Sequence, residues 1–236
     1  MSTMTSTMTR DSGHRRMWLT AGWVVIAHTV LLFGALPFER TPLLGDSPKA
    51  AAAALVNGPM ARTFAGGYLE TLSFLVFLLA ATLLARLLRG RGEVSGWLAS
   101  SVAAAGTVFV AITISVGFAA GAAATYDGHH GAPLATVIAI NDIRNFGYFL
   151  SVAVLGLFTL CVASAAQVTR SLPRWISYSG YLAGGLLLVS VPAERSGIMD
   201  LANMAWFAWF LALGVSALRK ARSTAMVAPD PQPAMV

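Results

Sequence analysis

The sequence predicts an all-α protein, a polytopic membrane bundle of six transmembrane helices with both termini in the cytoplasm. Three observations predict it. Six apolar stretches take up more than half of the 236 residues. Only 11% of residues are charged against 56% hydrophobic, where soluble proteins average about 25% charged. Lys and Arg are also distributed unevenly between alternate loops.

The stretches run over Met17–Leu36, Phe64–Leu88, Trp97–Gly117, Tyr148–Val168, Trp175–Val191 and Ala202–Leu218. Crossing about 30 Å of hydrocarbon at 1.5 Å per residue takes about 20 residues. The fifth stretch is slightly short of that. Hydrocarbon offers no partner for backbone N–H and C=O groups, so each stretch must be helical. The mean hydropathy of +0.69 agrees, and little length is left for a separate soluble domain.

Residues 1–16 are polar and rich in Thr, Ser and Met, and are expected to be a disordered cytoplasmic segment. The first stretch follows Arg15-Arg16 as a signal peptide would. It is longer than the 7–15 residues of a signal h-region, so a retained anchor is expected. After it, Asp46-Ser47-Pro48 precedes an alanine run ending at Asn57-Gly58. An Asp or Ser cap followed by Pro in the first turn predicts a short helix there. Residues 17–222 form the membrane domain, and 223–236, with Pro229, Pro231 and Pro233, form a disordered cytoplasmic tail.

Orientation comes from the cations. Eleven Lys and Arg fall on the side of the termini: Arg10, Arg15 and Arg16, then Arg86, Arg89 and Arg91, then Arg170 and Arg174, and finally Arg219, Lys220 and Arg222. Five fall on the other side: Arg40, Lys49, Arg62, Arg144 and Arg195. The positive-inside bias puts both termini in the cytoplasm. It also accounts for the pI near 10.1 without nucleic acid as a partner. The acids lean the other way, with seven of ten outside.

Two hairpins share a pattern. Arg62-Thr-Phe64 with Gly67-Tyr68 opens the first, and Arg144-Asn-Phe146-Gly147-Tyr148 opens the second. Aromatic and Arg residues mark every membrane boundary, so boundary decoration and internal duplication both stand.

Polar residues deeper than a boundary requires are the candidate site. Glu70-x-x-Ser73, Asp142-x-x-Asn145 and Asp200-x-x-Asn203 repeat one spacing near the outer ends of three helices. A spacing of three puts both members on one face. Ionisable groups in spans are costly and face a bundle interior or an aqueous cavity. One reading is therefore an outward acidic vestibule, rimmed by Arg144, Glu194 and Arg195. The other is that acids at helix N-termini answer the macrodipole, worth about 0.3–1 kcal/mol each. The dipole does not explain Arg62 and Arg144, which would snorkel to lipid phosphates or pair with Asp142, Asp200 or Glu194.

His28 follows Arg16 by twelve residues, about 18 Å into the bilayer at 1.5 Å per residue. At that depth it bonds a neighbouring Ser or Thr, relays protons, or ligates a metal or haem. Several chemistries are excluded. A bis-His haem needs a second buried histidine, a retinal Schiff base needs a lysine within a span, and neither HExxH nor a phosphate-binding Gly-Lys-Ser/Thr loop occurs. His129, His130 and Asp127, expected in an outer loop, are weak metal candidates, and no cofactor is expected. Cys161 is the single cysteine, so no intrachain disulfide forms.

The alanine-rich segment after Gly45-Asp46 and the run Leu172-Pro173-Arg174-Trp175-Ile176-Ser-Tyr178-Ser-Gly180 complete the picture. With six short spans, the chain resembles small uncharacterised bacterial six-span integral membrane proteins. That resemblance implies a bacterial plasma membrane and no assigned activity. Three functions follow from the residues: a small transport or permeation protein taking a cationic solute or proton, an intramembrane enzyme on a lipid-linked substrate, or a non-catalytic accessory subunit. Whether it is an enzyme, and its oligomeric state, are not legible.

Overall fold

A computed structural model describes residues 3–38, 41–193 and 197–226, with side chains described from residue 12 to residue 223. Among these residues the chain is all-helical. Helices α1 (Thr3–Ala35), α3 (Met60–Leu87), α4 (Glu93–Ile112), α6 (Leu134–Thr169), α7 (Arg174–Ser190) and α8 (Ile198–Met226) are the long ones. The short α2 (Pro48–Leu55) and α5 (Ala119–His129) lie at one end of the bundle. The α2 cap is the one its sequence dictates: Ser47 Oγ accepts from the Ala50 amide at 3.2 Å, and Pro48 occupies the first turn.

Five described segments are long and apolar enough to cross a membrane: Ser12–Phe38, Met60–Leu87, Glu93–His129, Leu134–Thr169 and Ile198–Ser223. The fifth expected span, α7, has 17 residues and falls short of that length. Two others are longer than expected. The third stretch does not end at Gly117: a wide π-helical turn over Thr113–Phe118 leads straight into α5, giving one 37-residue segment. The expected outer loop at Tyr126–His129 is thus helical. The fourth begins at Leu134 rather than at Tyr148, because apolar residues flank the Asn141–Asn145 polar cluster on its N-terminal side as well.

The principal packing contacts close a ring in the order α1, α3, α4, α6, α7, α8 and back to α1. Helices α1 and α8 run antiparallel, with Gly22 facing Leu218, Val25 facing Gly214, and the Phe33 and Phe207 rings tilted against each other with centroids 5.0 Å apart. At the α6–α7 crossing, a Cβ added to Gly156 would lie 3.0 Å from the Gly184 carbonyl oxygen, and one added to Gly184 as close to that of Gly156. Lipid gives no hydrophobic drive between helices, so such close backbone approach supplies the packing. Large apolar side chains such as Leu182 (74% exposed) and Trp23 (61%) cover the outside, as lipid contact requires.

The ring is filled by aromatics. Phe77 is fully buried and lies 5.0 Å from Phe109, 5.0 Å from Phe158 and 5.5 Å from Phe210, centroid to centroid. Trp206 stacks on Phe210 at 4.8 Å and donates from Nε1 to Thr159 Oγ1 at 2.9 Å. This aromatic layer divides the bundle into two ends.

Candidate functional site

Above the aromatic layer, at the α2 end, lies a cavity of about 380 Å³. Its floor is His28, Phe74, Phe109 and Trp206, and its polar wall is Glu70, Arg144, Tyr148, Ser151, Asp200 and Asn203. These side chains come from α1, α3, α4, α6 and α8, so the site exists only once the ring has closed.

His28 is held on one side only. Its Nδ1 lies 2.9 Å from the Ser73 carbonyl oxygen and 2.8 Å from Ser73 Oγ, which in turn lies 3.0 Å from the His28 carbonyl oxygen. Carbonyls only accept. One consistent assignment therefore has Nδ1–H donating to the Ser73 carbonyl and Oγ–H donating to the His28 carbonyl. In the neutral ring Nε2 is then a bare acceptor, and it is buried without a partner. Phe77 and Phe210 surround the ring at 5.1 and 5.6 Å.

The acids occupy different situations. Asp200 stands in the first turn of α8, where the helix dipole favours a carboxylate. Glu70 does not, since α3 starts at Met60 and puts it ten residues further on, about 15 Å along the helix. Arg144 is likewise ten residues into α6, so neither position answers a terminal dipole. Both engage other groups, and both also line two smaller hollows, of about 30 and 40 Å³, against the wide turn. The Arg144 stem lies over Gly121, whose missing side chain leaves it room. Phe118 and Val116 of the wide turn press on Gly67 of α3 and Gly147 of α6, so the turn wedges between the two helices carrying Glu70 and Arg144.

The three carboxylate pairs do not act alike. Asp200 and Asn203 both line the cavity, and Asn203 Nδ2 donates to Tyr148 Oη at 2.7 Å. Glu70 lines it while Ser73 is turned to His28. Asp142 is not in the wall, and Asn145 Nδ2, with Asn141 Nδ2, donates to the Pro42 carbonyl at 3.4 and 3.1 Å, tying the α1–α2 connection to α6. The reason is register: helix α6 turns Asp142 and Asn145 away from the face that bears Arg144, Tyr148 and Ser151. Arg62 is not paired with an acid in any described contact; its Nη2 donates to the Pro37 carbonyl at 2.6 Å. Glu194 and Arg195 lie outside the described residues.

The metal candidates are not assembled. His129 Nδ1 meets the Thr125 carbonyl at 2.9 Å and Nε2 the Gly58 carbonyl at 2.8 Å, so the ring joins α5 to the start of α3. His130 Nδ1 meets the Tyr126 carbonyl at 2.7 Å. Among the described residues no three His, Cys, Asp or Glu form a metal-binding group. Sequence reasoning missed Tyr148, Ser151 and Thr113. Tyr148 follows Arg144 by four residues, the spacing that shares a helix face, and was legible on that ground.

Long apolar helices with a polar cavity enclosed between them define a multi-pass integral membrane protein. The chain belongs to the family described as a domain of unknown function, DUF4386, which matches residues 20–220. No curated protein and no solved structure matches it.

Proposed function

We propose that this protein binds a small solute with a cationic, hydrogen-bond-donating head and an apolar body in the cavity, and passes it across a bacterial plasma membrane. The cavity itself supports this reading. Two carboxylates, Glu70 and Asp200, face one guanidinium, Arg144, across its polar wall, which leaves an excess of negative charge. The Nε2 of His28 offers an acceptor at the floor, and Phe74, Phe109 and Trp206 suit an apolar body. In this reading α7 is the sixth crossing, both termini are cytoplasmic, residues 17–222 form the membrane domain, and the cavity opens outward.

A second reading, a non-catalytic accessory subunit, is favoured by the floor. Phe77, Phe158 and Phe210 are buried beneath His28 with 0% exposure, so passage needs another conformation. The test is thermal unfolding of the purified protein with butylammonium against butanol. A ligand held only by the folded state raises its stability by RT ln(1 + [L]/Kd). Stabilisation by the amine alone, lost in Glu70→Gln and Asp200→Asn, is expected. Equal shifts by both compounds would overturn the binding reading. Amine binding without uptake into proteoliposomes would favour the accessory subunit.

A further inference from the structure

At the opposite end of the bundle, between α6 and α7, lies a second hollow of about 520 Å³. It is lined by Gln167, Arg170, Arg174, Ser177 and Tyr178 with Ala166, Val168 and Leu172, and none of the described residues lining it is acidic. Arg170 and Arg174 are exposed, and neither has a described ion pair. The α7 N-terminus borders the hollow, and Pro173 at its cap offers no side-chain acceptor, so the first amides of the helix stay open to an anion. Ser177 supplies an independent observation. It is 1% exposed, it lines the hollow, and its Oγ has no hydrogen-bond partner. Serine one turn into a helix ordinarily bonds back to a carbonyl four residues earlier. Here the hydroxyl is left over beside two guanidinium groups.

The connection carrying these groups is fixed. Lys220 of α8 donates to the Ser171 carbonyl and lies over the Trp18 ring at 4.8 Å. Thr169 Oγ1 is 2.9 Å from Ser171 Oγ, and Leu172 is buried. The two arginines thus project from a turn anchored to α8.

We infer that this hollow binds a phosphate group, with Arg170 and Arg174 as charge partners and the Ser177 hydroxyl as a donor. Arginine's planar fork matches phosphate oxygens, and a buried hydroxyl distinguishes a built site from arginines that merely snorkel. The phosphate arrives either on a phospholipid headgroup, since the hollow lies at the boundary of the bundle, or as free phosphate. The site is separate from the amine cavity and does not depend on it.

The test is native mass spectrometry of the full chain released from detergent after exposure to phosphatidic acid, to oleate as an anionic lipid lacking phosphate, or to inorganic phosphate. Phosphatidic acid retained at least fivefold over oleate is expected, with Arg174→Gln and Ser177→Ala each cutting retention threefold or more. Arg89→Gln, a cation in the other short loop of this end, should leave retention unchanged. Displacement of the lipid by millimolar inorganic phosphate assigns the site to free phosphate; resistance to it assigns the site to headgroups. Oleate held as well as phosphatidic acid, Arg89→Gln as damaging as Arg174→Gln, or no effect of Ser177→Ala would each overturn the inference.

Discussion

The two hollows each hold a buried polar atom without a partner, His28 Nε2 in one and Ser177 Oγ in the other. In other respects they are opposites. The first is enclosed by five long helices and carries both signs of charge, with Glu70 and Asp200 against Arg144. The second sits at a single turn and its described lining carries only Arg170 and Arg174. Ionised groups within a bundle require compensation nearby, because an isolated charge away from water costs several kcal/mol. Groups at the boundary reach water and headgroups and need none. Depth therefore dictates mixed charge in one and permits uniform charge in the other.

The first way to break this comparison is topological and all-or-none. A reporter fused after Arg222 should be active only in the cytoplasm, and one inserted near Asn57 only outside. Activity of both on one side would put the two hollows on the same face of the membrane.

The next largest effect belongs to the aromatic layer that separates them. Phe77→Ala should destabilise by about 3–5 kcal/mol, as removal of a fully buried Phe does. Leu155→Ala borders an existing space and should fall near the lower end of the about 2–5 kcal/mol seen for leucine. Chemical denaturation in a fixed detergent compares the two, and equal losses would mean that the cavity is closed up in solution.

His28 gives a smaller signal. His28→Leu should cost about 0.6–2 kcal/mol by removing the interhelical bond from the imidazole to the Ser73 carbonyl, while His28→Asn, which keeps a hydrogen bond, should be tolerated for stability. If His28 relays protons, Asn would instead abolish function with folding intact. Unchanged stability and activity in both variants would rule out either role.

The smallest effect is also the most selective. Arg170 has φ of 50° just past the end of α6, a left-handed position where glycine is the usual residue. Arg170→Gly should relieve about 1 kcal/mol of strain, raising the unfolding midpoint while weakening phosphate retention. A stability gain with unchanged retention would remove Arg170 from the phosphate site.

Much of the framework was legible because lipid imposes strict length and composition on spans. Five long apolar segments and the Ser47 cap follow from that and from capping chemistry. Helix ends were less legible: α6 starts at Leu134 because nothing in the sequence breaks the helix around Asn141–Asn145, and hydropathy alone does not mark such a start. The wide turn at Thr113–Phe118 has no clear local signal beyond Gly117. The i, i+3 pattern singled out the Asp142 pair as readily as the Asp200 pair, since spacing shows which residues share a face but not which way that face turns. Only the closed ring decides that Arg144 looks inward and Asn145 toward Pro42.

The brevity of α7 has a consequence for the surrounding lipid. Seventeen residues make about 26 Å of helix, a few ångströms less than the roughly 30 Å of hydrocarbon around it. Under the proposed six-span reading, α7 would create hydrophobic mismatch on one side of the bundle. Thinning of the bilayer there would draw headgroups toward the Arg170–Arg174 turn. Mismatch of this kind also favours thinner membranes and brings short-helix faces of neighbouring molecules together, so bilayer thickness becomes a variable acting on this protein from outside.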